Sequence, residues 1–280
     1  MSADESTRPA HGPRFYAVCI GIGLLAGLLS GLFGVGGGTI IVPFLVLFLR
    51  FDQRLAAGTS LAAIVPTATV GVISYALHGS VAWIPALLLA LGAVFGAQIG
   101  TWLLPRLSLT VLRWAFVGFL AAVIVSLFVV IPSRDAELAL TWLSGAALVV
   151  LGVATGILSG LIGVGGGIVV VPALMVLFGT SDLVAKGTSL LMMIPTAVSG
   201  TIGNVRRRNV DLVAAAIVGV AACATTALGA WAATILDPFV ANMLFAAYLL
   251  FIAVQMGLRA WRGRARPSAN GPAGGPGAPR

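Results

Sequence analysis

Residues 27–43 read GLLSGLFGVGGGTIIVP and residues 156–172 read GILSGLIGVGGGIVVVP, with 12 of the 17 positions identical and an offset of 129 residues. The same offset aligns Gly58-Thr59-Ser60-Leu61 with Gly187-Thr188-Ser189-Leu190. It also aligns Pro66-Thr67-Ala68 with Pro195-Thr196-Ala197, without a gap. The chain is therefore built from two copies of one unit of about 120 residues, an organisation common among secondary transporters.

The unit belongs in a bilayer. Only 9% of the 280 residues are charged and 59% are hydrophobic, whereas soluble domains carry about a quarter charged residues. Such a chain could not cover a water-soluble surface, and it is far too apolar to be disordered. The 36 glycines fit membrane helices, where small residues let backbones approach. A net charge of +8 does not imply nucleic acid, because the arginines flank apolar runs and act as topology markers. Cys19 and Cys223 are far apart with no Cys/His cluster nearby, so zinc, dithiol and cofactor sites are unsupported. The apolar run after Arg14 has no obvious cleavage site and reads as a retained first helix.

Each unit divides into five apolar segments at polar or Gly/Pro interruptions. They are 15–33, 38–49, 56–77, 83–104 and 109–131, then 139–162, 168–178, 185–205, 210–235 and 239–258. Most reach the length of about 20 residues needed to cross; segments 38–49 and 168–178 are too short for a straight crossing. If all ten cross, 14 basic residues fall on one face and only Arg134 and Lys186 on the other. If the two short segments do not cross, the split weakens to 11 against 5. The positive-inside rule favours ten crossings with both termini cytoplasmic. Five crossings per unit is an odd number, so the second repeat is expected to be inverted relative to the first. The expected architecture is an all-α polytopic plasma (inner) membrane protein. It has a cytoplasmic tail at 1–14, a first repeat at 15–131, a connecting loop at 132–138, a second repeat at 139–259 and a disordered cytoplasmic tail at 260–280.

The strongest candidate for chemistry is the pair of glycine runs, Gly34, Gly36, Gly37 and Gly38 with Gly163, Gly165, Gly166 and Gly167. Neither is a dinucleotide fingerprint, since Thr39 and Ile168 stand where a third glycine would be needed. As helices, Gly38–Leu49 and Ile168–Phe178 would rise only about 18 and 17 Å of a hydrocarbon core about 30 Å thick. Anchored at opposite faces, both glycine turns would lie near the midplane. Irregular backbone at that depth survives only when buried in protein or lining a cavity. A turn there offers unpaired amides and the positive end of a half-helix, which is an anion site. The same glycines could serve close packing alone; their duplication at matched depth favours the substrate reading. A helix start at Pro43 or Pro172 would instead leave an extended strip and shallower glycines.

Pro66 and Pro195 fall near mid-depth, and with Pro43 and Pro172 are candidate helix-breaking or gating positions. Thr67 and Thr196 either satisfy a carbonyl freed by proline or face substrate. Thr59, Ser60, Thr188 and Ser189 look like helix-start caps. Gln98 is a membrane amide expected to bond a neighbouring helix or, more sharply, the substrate. The acids all fall in tails, loops or segment ends, so no intramembrane carboxylate is expected. No Ser/His/Asp set or metal-ligand spacing supports an enzyme.

The duplicated G-x-x-S-G-x-x-G-V-G-G-G block ending in Pro43 and Pro172, with the G-T-S-L and P-T elements that follow, resembles the sulfite exporter TauE/SafE family of membrane transporters. The resemblance covers nearly the whole chain between the tails. It implies a multi-pass transporter of anions such as sulfite or organosulfonates. The expected function is a secondary transporter exporting a small sulfur-containing anion by alternating access. A passive anion channel, or a membrane scaffold or enzyme, is the alternative. Expected partners are the anion and the lipid bilayer, not nucleic acid, and the sequence leaves homo-oligomerisation open.

Overall fold

The computed structural model describes residues 12–103, 141–162 and 165–264, together with positions 114, 117, 118, 121, 124 and 125. Among the described residues every element is helical. The first four helices are α1 (Pro13–Phe33), α2 (Gly38–Phe48), α3 (Gln53–Ala76) and α4 (Trp83–Leu103). The remainder are α5 (Trp142–Ile162), α6 (Gly167–Phe178), α7 (Asp182–Arg206), α8 (Leu212–Ile235) and α9 (Pro238–Arg264). Most of the expected segment 109–131, the loop 132–138 and most of the C-terminal tail lie outside the described residues. Six of these helices are long and apolar enough to cross a membrane. Large apolar side chains such as Leu47, Leu87, Phe95, Val150, Val220 and Phe251 are exposed, a surface suited to lipid and unstable in water. The protein is an all-helical polytopic membrane protein.

α3 and α7 begin earlier than their apolar runs. Asp52 caps α3, its carboxylate accepting from the amides of Arg54 (2.7 Å) and Leu55 (2.9 Å). Ser181 caps α7 by accepting from the Val184 amide at 3.3 Å. Thr59, Ser60, Thr188 and Ser189 are therefore not caps. Short polar side chains upstream satisfy the orphan amides first, and the two threonines are buried well inside their helices. They tie the repeats together instead. Thr59 Oγ1 accepts from the Asp211 amide and Thr188 Oγ1 from the Ala82 amide, each at 3.0 Å. The two bonds correspond under the 129-residue offset.

The packing follows the same correspondence. α1, the first helix of repeat one, lies along α8, the fourth of repeat two; α5 lies along α4 in the same way. α3 packs against its own counterpart α7 at the centre. Glycine makes the α1–α8 approach close: Gly23 faces Val218 and Ala222, Gly27 faces Ala222 and Thr225, and Gly31 faces Thr226 and Ala230. Contacts advance by four residues on both helices together, so the two run parallel. Gly92 against Val149 and Gly96 against Val153 give the same parallel sense to α4 and α5. A β-carbon at Gly27 or Gly96 would enter the carbonyl oxygen of the facing helix, so these backbones touch with no side chain between them.

Candidate functional site

α1 ends where Gly34 turns left-handed at φ 69°, its amide donating to the Ser30 carbonyl at 2.8 Å. Gly36 and Gly37 follow at φ 71° and 72°, and α2 starts at Gly38. Three of these four positions carry a backbone that an L side chain rarely adopts. In the second repeat Gly165 has φ 74° and α6 starts at Gly167; Gly163 lies outside the described residues. The helices open at glycine, so the extended strip before Pro43 and Pro172 does not form. The chain stays helical through all four prolines rather than breaking at them. Pro43 and Pro172 are buried, whereas Pro66 and Pro195 are exposed.

The two turns meet. Gly167 lies against Gly34 and Val35, and Gly36 and Gly165 both abut Met193 and Ile64. Ile64 and Met193 are equivalent under the repeat offset and fully buried or nearly so. Each stands eleven residues into its helix, α3 from Gln53 and α7 from Asp182, or about 16 Å along a rise of about 36 Å. The turns therefore converge at mid-length of the two central helices, closed between them by one isoleucine and one thioether. Around this point the amides of Gly36, Gly37, Gly38 and Thr39 make no hydrogen bond among the described residues, nor do those of Gly166 and Ile168. Ile40 and Ile41 both donate to the Gly37 carbonyl, and Val169 and Val170 to that of Gly166. The unpaired donors thus lie at the very start of each half-helix, where the dipole favours negative charge.

Thr67 and Thr196 do not present a donor in this conformation. Their hydroxyls donate to the carbonyls of Ala63 (2.8 Å) and Met192 (3.0 Å), one turn back on their own helices. The carbonyls that Pro66 and Pro195 leave without an amide partner are the preceding ones, Ala62 and Leu191. Gln98 is exposed on α4.

Two features went unread in the sequence. Thr39, in the first turn of α2, hydrogen-bonds the Tyr248 hydroxyl from α9, and the pair is buried. Tyr248 is fixed by stacking on Phe33 at 4.9 Å between ring centroids. One of the pair's two hydroxyl hydrogens forms the bond, leaving the other as a donor beside the α2 amides. A signal existed: Thr39 is the one polar residue among the five positions at which the duplicated blocks differ. The second feature is a buried charge pair. Lys186 lies one turn into α7, and its ammonium donates to Asp182 Oδ2 at 3.0 Å. Both side chains are 2–3% exposed.

Residues 2–127 and 148–279 each match the family described as Sulfite exporter TauE/SafE. The chain is 30% identical to "Probable membrane transporter protein YdhB" of Bacillus subtilis over 192 residues, 68% of this chain and 78% of that one. A "Probable membrane transporter protein" of Haemophilus influenzae is 28% identical over 264 residues, covering 88% of this chain and 99% of the relative. "Probable membrane transporter protein YunE" of B. subtilis is 36% identical over a shorter stretch, about a third of each chain.

Proposed function

The chain belongs to the sulfite exporter TauE/SafE family, and on that premise we propose that it is a secondary transporter of a small sulfur-containing anion. Sulfite or an organosulfonate leaves across the plasma membrane by alternating access between two inverted five-helix repeats. The observation that carries the anion reading is the convergence of the two glycine turns on Ile64 and Met193. Two half-helix N-termini with unpaired amides face one buried point, and backbone donors can hold an oxyanion there. Ile64 and Met193 close the point in this conformation, so access requires α3 and α7 to move relative to the turns.

The parallel runs of α1 with α8 and of α4 with α5 support inversion. α4 and α5 are successive among the described elements yet point the same way, as repeats with an odd number of crossings would require. Removing the buried Lys186 from the count leaves Arg134 alone on the sparsely charged face, which supports cytoplasmic termini.

Purified protein in liposomes should exchange labelled sulfite or a simple sulfonate against the same anion inside, with saturation. Flux of none of them would sink the anion assignment, and flux without saturation or counterflow would favour a passive channel.

A further inference from the structure

The buried Lys186–Asp182 pair breaks the molecule's internal symmetry in charge. The equivalent residues of α3 are Ala57 and Gln53. The surroundings otherwise correspond: Gly187 packs on the Ser80 carbonyl as Gly58 packs on that of Asn209, and the two threonine cross-links flank both. The first repeat forms these backbone contacts with neutral side chains, Gln53 exposed and Ala57 half-buried, whereas Asp182 and Lys186 are buried, so the contacts themselves do not require charge. Burying two charges costs several kcal/mol per ion before their attraction is counted. Ionisable groups inside membrane helices mark substrate or ion pathways for that reason.

The location is specific. A β-carbon on Gly34 would fall 2.5 Å from the Lys186 Cα, so this residue forms the wall of the first glycine turn. Met193, which closes the convergence point, lies seven residues further along the same helix, about 10 Å away. Asp182 is the first residue of α7, where a carboxylate stays stabilised by the helix N-terminus after leaving its lysine.

We infer that Lys186 is the cationic contact for the transported oxyanion on the α7-entry side of the glycine turns, with Asp182 holding that ammonium until the anion arrives. The assignment rests on the anion reading above. Binding exchanges one oxyanion for another at the same ammonium, and the released Asp182 carboxylate keeps the positive end of α7 as its partner. The glycine turns then receive the anion through backbone donors alone.

The test compares wild type, Asp182→Asn, Lys186→Gln and Lys186→Gln/Asp182→Asn in liposome counterflow with sulfite. Folded protein is followed by thermal unfolding in detergent. Asp182→Asn removes the competing carboxylate and should lower the half-saturating sulfite concentration by about tenfold. Lys186→Gln should lose both folded protein and flux, since it strands a carboxylate. The double variant, neutral like the first repeat, should regain wild-type unfolding while its flux stays lower by at least about tenfold. A purely structural pair predicts the opposite, full flux once folding is restored, and that result would overturn the inference. So would an unchanged or raised half-saturation in Asp182→Asn. A wild type that moves neither sulfite nor a sulfonate would instead remove the anion reading on which the inference stands.

Discussion

Replacing Gly36 by alanine tests whether the two glycine turns are held apart by Met193. At φ 71° a β-carbon costs about 1–2 kcal/mol from its own backbone. The new methyl would also enter the Met193 Cε and approach its Sδ to 2.9 Å. Such over-packing typically adds about 1–3 kcal/mol. Gly36→Ala should thus destabilise by about 2–5 kcal/mol. Met193→Ala alone should cost a similar amount, about 2–5 kcal/mol, by leaving a cavity at a site 1% exposed. The two defects are complementary, because the methyl occupies space that the thioether vacates. The double variant should therefore be more stable than the sum of its parents by about 1–3 kcal/mol. Reversible unfolding in mixed micelles gives the four free energies, and counterflow gives the accompanying rates. Alanine keeps the residue 36 amide, so flux per folded molecule should recover with stability in the double variant. Additivity to within about 0.5 kcal/mol would show that Met193 does not fill the space between the turns and refute the packing argument.

Five further outcomes are expected. Gly37→Val or Gly166→Val should abolish counterflow while membrane insertion persists, Gly37 standing at φ 72°, where a β-branched residue is an outlier; normal flux would refute the glycine site. Thr39→Val and Tyr248→Phe should each cost about 1–3 kcal/mol by stranding a buried hydroxyl, and the double variant should cost less than their sum in the same unfolding assay. Gly96→Leu should separate α4 from α5 and abolish recovery of folded protein. Gly21→Ala, inside α1 with nothing within 4 Å, should gain about 0.4–1 kcal/mol. Arg50 sits left-handed at φ 56° where the other repeat has Gly179 at φ 65°, so Arg50→Gly should gain up to about 1 kcal/mol and Gly179→Ala lose about 1–2 in thermal unfolding.

The helices were legible because a bilayer leaves few ways to write them: apolar runs broken by Gly, Pro and Arg delimit all nine to within a few residues. The glycine turns were legible because they occur twice. What escaped depends on proximity that sequence spacing does not encode. Lys186 reads as a topology marker when charge is counted by segment, and only the structure shows it buried against Asp182. Thr39 and Tyr248 are 209 residues apart, and no periodicity links them. The glycines of α1 were expected to pack helices, yet their partner is the fourth helix of the other repeat, which runs parallel to α1. Thr67 and Thr196 carry the right group at the right depth, but each hydroxyl is taken up by a carbonyl one turn back on its own helix.

The exchange of helices between repeats also sets a schedule for synthesis. α1 is complete at Phe33, but the α8 surface that buries its Gly23, Gly27 and Gly31 face is finished only at Ile235. At a ribosomal rate of about 5–20 residues per second this is a wait of about 10–40 s. Throughout it a bare backbone groove faces lipid, open to other nascent helices. α4 waits only for the chain to return as α5, so the second repeat's opening helix docks first and the molecule closes from its middle outward. Two separately translated halves, cut between α4 and α5, would remove the wait by letting α8 meet α1 from another ribosome.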